Sequence, residues 1–374
     1  MIKSWDYINE YQQLRHKILK SIDNSLNSGF LILGPQLDLF EKKFSSFVGA
    51  KFGLGVGNCT DAIFIALKSL NIGKGDEVIT VSNTAVPTIT AILNSGATPR
   101  FVDIDENYLM DCTKITSAIN KNTKAIIPVH LYGQTCNMSE ILKIKKKYNL
   151  KVIEDCAQST GASHKKKQSG SFGDVGCFSF YPTKILGAYG DAGFLTTNNI
   201  KLYNKMRRFR LMGMESSKRS KNKYNKKYFA LEHGTNSRLD ELQASILNIK
   251  IKFIKKYINR RRQIAKIYYE NLKKTDLILP HVENNNFHVY YQYTVAHKYR
   301  DRIIKKLLKK NINLNITYPY PVHTMPPYKR FFNKKRDKLI KTDLASKQIF
   351  SLPTYPSIKD DNVQKIIKEI NQLI

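Results

Sequence analysis

The sequence predicts an α/β fold, a three-layer, mainly parallel sheet followed by a smaller C-terminal α+β domain. Two observations carry this. Short apolar runs alternate with helical patterns through the first 240 residues, and such alternation builds parallel sheets whose ligand sites lie at the carboxyl ends of the strands. After about Leu239 the rhythm stops and one long helical pattern replaces it.

Taken in order, residues 52–56 read as a strand that leads into a helix over 60–70, with Ile63, Leu67 and Leu70 on one face. Residues 77–81 form the next strand and 84–93 the helix after it. Further strands are expected at 100–102, 125–129, 151–154 and 176–180, with a helix over 139–148. Residues 240–272 read as one helix carrying Lys255, Lys256 and Arg260 to Arg262. Beyond it come a strand-like run at 289–295, a helix at 301–310, a Pro/Tyr-rich turn at 318–328 and a closing helix at 360–373. The pattern divides the chain into a large domain, 1–245, and a small one, 246–374.

Of the 374 residues, 42% are hydrophobic and 11% aromatic, enough apolar surface for a real core, which excludes wholesale disorder. Lys and Arg total 62 against 30 Asp and Glu, a formal charge of +32. Such an excess points to nucleic acid, an anionic membrane or a phosphorylated small molecule. Compositional drift in a chain rich in Lys, Ile and Asn gives the same number without a selected function. The densest basic tract, 216–228, holds Lys218, Arg219, Lys221, Lys223, Lys226 and Lys227 and reads as a solvated loop. No helix-turn-helix, zinc-finger or aromatic ribonucleoprotein signature accompanies the charge, so no nucleic-acid partner is expected.

The five cysteines, Cys59, Cys112, Cys136, Cys156 and Cys177, are widely spaced without a C-x-x-C pair. That suits a reducing cytoplasm rather than a disulfide framework or a zinc site. The opening residues are polar, and no stretch approaches 18 apolar residues, so neither a secretory signal nor a membrane span is expected. No H-E-x-x-H pair and no phosphate-binding G-x-x-x-x-G-K-[ST] loop occurs, and no metal is expected.

The densest chemistry lies between Lys151 and Gly193. An apolar strand ends in Glu154-Asp155, which puts a carboxylate at the sheet's carboxyl edge. Lys184 follows Ser179-Phe180-Tyr181-Pro182-Thr183 and precedes glycines 187, 190 and 193. An acid at a strand end and a lysine on a glycine-flanked loop are what pyridoxal 5'-phosphate (PLP) requires: the carboxylate keeps the pyridine nitrogen protonated and the lysine forms the Schiff base. Taken singly, each residue also fits an ordinary surface turn. A second element, Gly53-Leu54-Gly55-Val56-Gly57-Asn58-Cys59-Thr60-Asp61-Ala62, runs from a strand into a helix whose N-terminus suits a phosphate. Asp61 there also fits a plain helix cap. The G-x-G-x-G spacing is not the dinucleotide fingerprint.

Together these residues resemble the DegT-type sugar-nucleotide aminotransferases, which have the fold type I, aspartate-aminotransferase-like PLP architecture. Seven blocks carry the resemblance in the family's order: Gly34-Pro35 with Phe40-Glu41; Gly57 to Ala62; Pro128-Val129-His130-Leu131-Tyr132-Gly133; Glu154-Asp155-Cys156-Ala157-Gln158; Phe178 to Lys184; Asn236-Ser237-Arg238-Leu239-Asp240-Glu241-Leu242-Gln243-Ala244; and Tyr318-Pro319-Tyr320-Pro321-Val322-His323.

The resemblance implies that Lys184 is the Schiff-base lysine and the base that moves the proton between substrate and cofactor. It implies that Asp155 pairs with the pyridine nitrogen, that Gln158 approaches the ring hydroxyl, and that backbone amides at Thr60 and Asp61 hold the phosphate with the Ser179 hydroxyl. Asn236 matches a residue that reaches the phosphate of the neighbouring subunit, which implies a homodimer with shared active sites. Tyr181 and His323 either contact the sugar or its diphosphate, or pack beneath the cofactor loop and within the Pro-rich turn. His130 is assigned to structure, and Cys59 and Cys156 to small buried fillers.

One departure stands out. Where the family often carries an aromatic on the cofactor face, Ser82-Asn83-Thr84 is followed by Ala85. That alanine, with Asn236-Ser237-Arg238 and the Tyr-Pro-x-Pro-Val-His turn, resembles the branch that aminates carbon 3 of a dTDP-linked 3-oxo-6-deoxyhexose with L-glutamate as donor. Amination at carbon 4 of a 4-keto-6-deoxysugar is the alternative within the family. Sugar dehydratases of this fold carry histidine in place of the lysine, so Lys184 argues against that activity.

Overall fold

The computed structural model describes residues 1–214 and 228–374; the basic tract at 216–228 lies outside them except for Tyr228. The chain opens with α1 (Ile8–Asn27) and α2 (Pro35–Val48). It then alternates β1 (Phe52–Val56), α3 (Cys59–Ser69), β2 (Glu77–Val81), α4 (Val86–Asn94), β3 (Thr98–Val102), α5 (Cys112–Ala118), β4 (Thr123–Ile126), α6 (Met138–Tyr148) and β5 (Lys151–Asp155). A hairpin of β6 (Ser163–His164) and β7 (Lys167–Gln168) precedes β8 (Val175–Ser179), β9 (Gly193–Thr197) and α7 (Ile200–Phe209). The remainder comprises α8 (Glu241–Lys250), α9 (Ile254–Leu272), β10 (Asn286–Phe287), β11 (Tyr293–Ala296), α10 (Arg300–Lys309), α11 (Ile340–Gln348), β12 (Ile349–Leu352) and α12 (Asp360–Asn371). Helix boundaries follow ordinary chemistry: Pro35 starts α2, Gly49 ends it at φ 77°, and the Asn58 side chain caps α3.

Seven strands form one sheet in the order β1-β9-β8-β5-β4-β2-β3. From β8 to β3 every pairing is parallel, while β9 runs antiparallel to both β1 and β8. Strand alternation splits the apolar side chains between two faces. Val78 and Ile153 pack on one face under α3, α4 and α7; Ile79, Val81 and Val152 pack on the other with α5 and α6. At the β8–β9 end of that second face the Phe44 ring of α2 meets Phe178, Phe180 and Phe194 edge-on at centroid distances of 5.0, 4.8 and 4.9 Å. The predicted three-layer architecture is present.

The strand expected at 289–295 is confined to β11, Tyr293–Ala296, and two further predicted elements differ. The run of glycines after Lys184 was expected as loop, yet Gly193 begins β9. A Cβ there would fall 2.3 Å from the Asn58 carbonyl carbon, so glycine admits the close approach. The single helix expected over 240–272 is two helices separated by a 3-10 turn at Ile251–Phe253. Ala244 and Leu247 of α8 pack in the core beneath α2. Ile264, Tyr268 and Leu272 of α9 belong to a separate core with β11, α10, β12 and α12. Ile254 and Ile258, in the first turns of α9, stay in the α2 core, so one helix spans both cores. Strand β12, which pairs antiparallel with β11, was not legible because it follows α11 without any turn residue. Ile2 joins this second core and bridges Ile312. Among the described residues no helix is long and apolar enough to cross a membrane.

Glu241, at the start of α8, is buried and caps α2 from outside. Its carboxylate accepts the N–H groups of Gly34, Gln36 and Leu37 at 2.9, 2.8 and 2.9 Å, satisfying donors at the positive end of that helix. Glu241→Ala should destabilise the fold by about 3 kcal/mol, the scale of losing hydrogen bonds to a buried charge. Glu241→Gln should fall between the two in urea denaturation; an unchanged midpoint for the alanine variant would contradict the cap's importance.

Candidate active site

Strands β1, β2, β5 and β8 point the same way, so Asn58, Ser82, Asp155 and Ser179 gather at one edge of the sheet. Asp155 is the last residue of β5 and only 4% exposed. Its Oδ2 accepts the Thr88 hydroxyl at 2.8 Å and its Oδ1 the Ala157 N–H at 3.1 Å. Thr88 in turn lies 3.0 Å from the Thr84 hydroxyl. Among the described residues no cationic side chain pairs with this buried carboxylate.

Its neighbour Glu154 faces the opposite way. The Glu154 carboxylate accepts the N–H groups of Gly170, Phe172 and Gly173 at 2.8, 2.8 and 2.7 Å and lies 3.0 Å from His130 Nε2. Because His130 Nδ1 accepts the Cys136 N–H, Nε2–H is the donor to Glu154. His130, Glu154 and Cys156 carry metal-ligating atoms within 4.8 Å of one another, but these contacts occupy both histidine nitrogens and both carboxylate oxygens. The cluster is a structural knot that fixes the loop behind Asp155.

Lys184 follows a turn in which its N–H bonds the Tyr181 carbonyl at 2.8 Å. Its Nζ lies 5.0 Å from the Tyr291 ring centroid, and the Tyr291 hydroxyl is 3.2 Å from that of Thr183. Cys59 links the lysine to the acid: burial pushes its thiol well above the ordinary range, Asp155 adds to the rise and Lys184 opposes it. The acid and the lysine are therefore each within electrostatic reach of Cys59, the first residue of α3. Cys59 and Cys156 are both buried, as expected of fillers.

The remaining expected residues are placed as follows. Gln158 accepts the Tyr132 N–H at 2.8 Å and donates to the Tyr318 hydroxyl at 2.8 Å. Ser179 ends β8, where its hydroxyl accepts the Tyr181 N–H at 3.3 Å. The Asp61 N–H is taken by the Asn58 cap at 2.8 Å, whereas Thr60 sits in the first turn, whose N–H groups have no acceptor within the helix. The Asp61 carboxylate accepts the Ser237 hydroxyl at 2.7 Å. Asn236 is exposed beside that contact, and Tyr181 is 51% exposed. His323 is 4% exposed and away from solvent. Its Nδ1 lies 2.8 Å from the Ser82 hydroxyl and its Nε2 3.2 Å from Asp343, and burial holds it below the usual histidine range. These contacts fasten the Pro-rich turn to the end of β2. Sequence reasoning named neither Thr88, Tyr291, Ser237 nor Tyr318 as site residues. Thr88 had one usable signal, a threonine four residues after Thr84 on the helix leaving a strand end.

The profile of the DegT/DnrJ/EryC1/StrS aminotransferase family matches residues 12–371. The chain belongs to this family. It is 42% identical to a dTDP-3-amino-3,4,6-trideoxy-alpha-D-glucose transaminase of Micromonospora megalomicea subsp. nigra, covering 99% of this chain and 98% of that one. It is 40% identical to a dTDP-3-amino-3,6-dideoxy-alpha-D-galactopyranose transaminase of Aneurinibacillus thermoaerophilus, over 100% and 99%. Among solved structures it superposes on S. venezuelae DesV in complex with a ketimine intermediate (TM-score 0.92, 32% identity, 98% and 97% covered). It also superposes on NtdA of Bacillus subtilis with bound cofactor PMP (TM-score 0.87, 31% identity, 96% and 82% covered). This DegT-family chain is a PLP-dependent aminotransferase of nucleotide sugars.

The site fits that cofactor. A buried carboxylate without a cationic partner among the described residues suits a protonated ring nitrogen, the first turn of α3 suits a phosphate, and Lys184, over the Tyr291 ring, supplies the amine. Thr88→Val removes a donor from Asp155 and should weaken PLP binding about tenfold, followed by absorbance during PLP titration of the apoenzyme. Thr88→Ser should retain wild-type affinity. An unchanged Kd for the valine variant would mean that Thr88 does not support the acid.

Proposed function

We propose that this enzyme moves an amino group from L-glutamate to carbon 3 of a dTDP-linked 3-oxo-6-deoxyhexose. The reading rests on a chain whose full-length relatives include two named for dTDP-3-amino sugars, and in which Asp155, buried at the end of β5, and Lys184 both act on Cys59 at the start of α3. When bound, PLP supplies the electron sink for amino transfer. Lys184 would anchor it and, once the amino donor has displaced the lysine amine, would move the proton between substrate and cofactor carbons. Asp155 holds the proton on the pyridine nitrogen, and Gln158, fixed between Tyr132 and Tyr318, lies toward the ring hydroxyl. Thr60 and Ser179 hold the phosphate end, and the Asp61 N–H joins them only by giving up its bond to the Asn58 cap. Asn236, exposed in one protomer, reaches the phosphate site of a second copy, so the enzyme works as a homodimer. Tyr181, on the exposed side of the loop, meets the sugar nucleotide. His323 acts at one remove, by fastening the turn that carries Tyr318 and Tyr320.

Residues 1–245 carry the cofactor in this reading, and 246–374 cover it from the other side. The positive charge acts locally, since PLP and the sugar nucleotide are both anionic and a basic cleft raises their concentration. The cytoplasm, where such substrates are made, is the compartment proposed.

Adding L-glutamate to the holoenzyme should replace the absorption band of lysine-bound PLP with that of pyridoxamine phosphate. Lys184→Ala should cut turnover by more than about a thousandfold and lose the lysine-dependent band. NMR of the product should place the new nitrogen on carbon 3. Amination at carbon 4 would refute the proposed regiochemistry, and a glutamate-insensitive spectrum would refute the proposed donor.

A further inference from the structure

We infer that Arg261 receives a carboxylate of the amino donor in a cavity that opens beside Lys184. The inference rests on the glutamate-dependent reading above and assigns a binding residue to its first half-reaction.

The cavity has a volume of about 710 Å³ and lies between the N-terminal segment, the Lys184 loop and α9, with Lys184, Lys256 and Arg261 in its wall. That volume falls within the range of small-molecule sites. Arg261 is 4% exposed. Its Nη1 donates to the Tyr291 carbonyl at 3.1 Å and to the Thr354 carbonyl at 3.4 Å, while its Nε–H has no acceptor. Among the described residues no carboxylate pairs with it. Burial pulls the guanidinium down to about 10, with Tyr291 and Glu10 opposing the shift. A buried cation with an idle donor is costly alone and is relieved by an anion.

The other charges in the cavity are spent. Asp6 pairs with Lys3 at 2.9 Å, Glu10 with Lys250 at 2.7 Å and Arg260 with Asp360 at 2.5 Å. Besides Lys184, Arg261 and Lys256 remain for a ligand. A single residue separates Arg261 from the reacting amine: the guanidinium holds the Tyr291 carbonyl and Lys184 Nζ lies over the Tyr291 ring. A small amino acid bound by one carboxylate at Arg261 would share the cavity with Lys184. The acceptor's diphosphate is the other anion that the same cation would attract.

The two half-reactions of the holoenzyme separate these occupants. With L-glutamate alone, Arg261→Met should raise the half-saturating concentration by about tenfold or more. Its saturation by keto-sugar nucleotide, measured from the pyridoxamine form, should stay within about twofold of wild type. Arg261→Lys should recover part of the loss, and glutarate, a dicarboxylate without an amine, should compete less well against glutamate in Arg261→Met. An equal loss for the keto-sugar nucleotide assigns Arg261 to the diphosphate and overturns the inference, as does unchanged glutamate saturation. If Arg261→Met does not fold, Lys256→Met at the exposed rim decides: it should raise the glutamate requirement and not that for the sugar, and no rise counts against the site. A wild-type enzyme that never responds to glutamate sinks the proposed function itself; a responsive wild type with indifferent Arg261 and Lys256 variants sinks this inference alone.

Discussion

Two adjacent buried carboxylates at the end of β5 must each be satisfied on a different side of the sheet, and the rest of the site depends on that. Successive strand residues face opposite ways, so Glu154 and Asp155 cannot share donors. Glu154 is met wholly from within, by three backbone N–H groups and His130. Asp155 receives two neutral donors and no cation among the described residues. Burying a carboxylate is costly unless it is fully compensated. The first acid therefore locks the scaffold, and the second leaves a negative site at the sheet edge that suits a protonated heterocycle.

The C-terminal elements are fastened to that edge by a few polar contacts. Ser82, just past β2, accepts the His323 N–H at 2.9 Å and meets its ring. Asp103, just past β3, accepts the N–H groups of Lys341 and Thr342, both at 2.9 Å, and the Thr342 hydroxyl at 2.7 Å. Gln158 meets Tyr318. Tyr291 is held from behind by Arg261 and lies against Lys184 from the front. These polar contacts act beside apolar ones: Val322 and Leu339 pack in the core under α3, and Ala296, Ala345 and Ile349 in that under α5 and α6.

Strand-then-helix alternation made the sheet and its active edge legible, because period-2 and period-3.6 patterns are local. Asp155 and Lys184 were legible for a chemical reason, as an acid and an amine in positions where strands end. What stayed hidden depends on contacts distant in sequence. Glu241 lies 207 residues from Gly34, yet its carboxylate closes the N-terminus of α2; both residues stood in recognisable blocks, and nothing in either block said that they meet. Thr88 and Tyr291 look like ordinary helix and strand residues until folding sets them against Asp155 and Lys184. The reversed strand β9 was disguised by its glycine, which is present for the close approach of Asn58 and not for a turn. The helix over 240–272 kept a continuous pattern through its break because Ala244 and Leu247 before it and Ile254 and Ile258 after it pack in the same core.

The bridge between Ile2 and Ile312 also constrains how the protein is made. Ile2 leaves the ribosome 310 residues before its partner (312 − 2). At ordinary translation speeds this is an interval of roughly 15–60 s. The sheet can assemble while synthesis continues, but the second core cannot close on this N-terminal segment until its late strands and helices exist. Apolar Ile2 and Trp5 must wait unpaired through that interval, and the entropy of closing so long a loop is met only at the end. Completion of the second core thereby waits for α12, whose Val363, Ile366 and Ile370 belong to it.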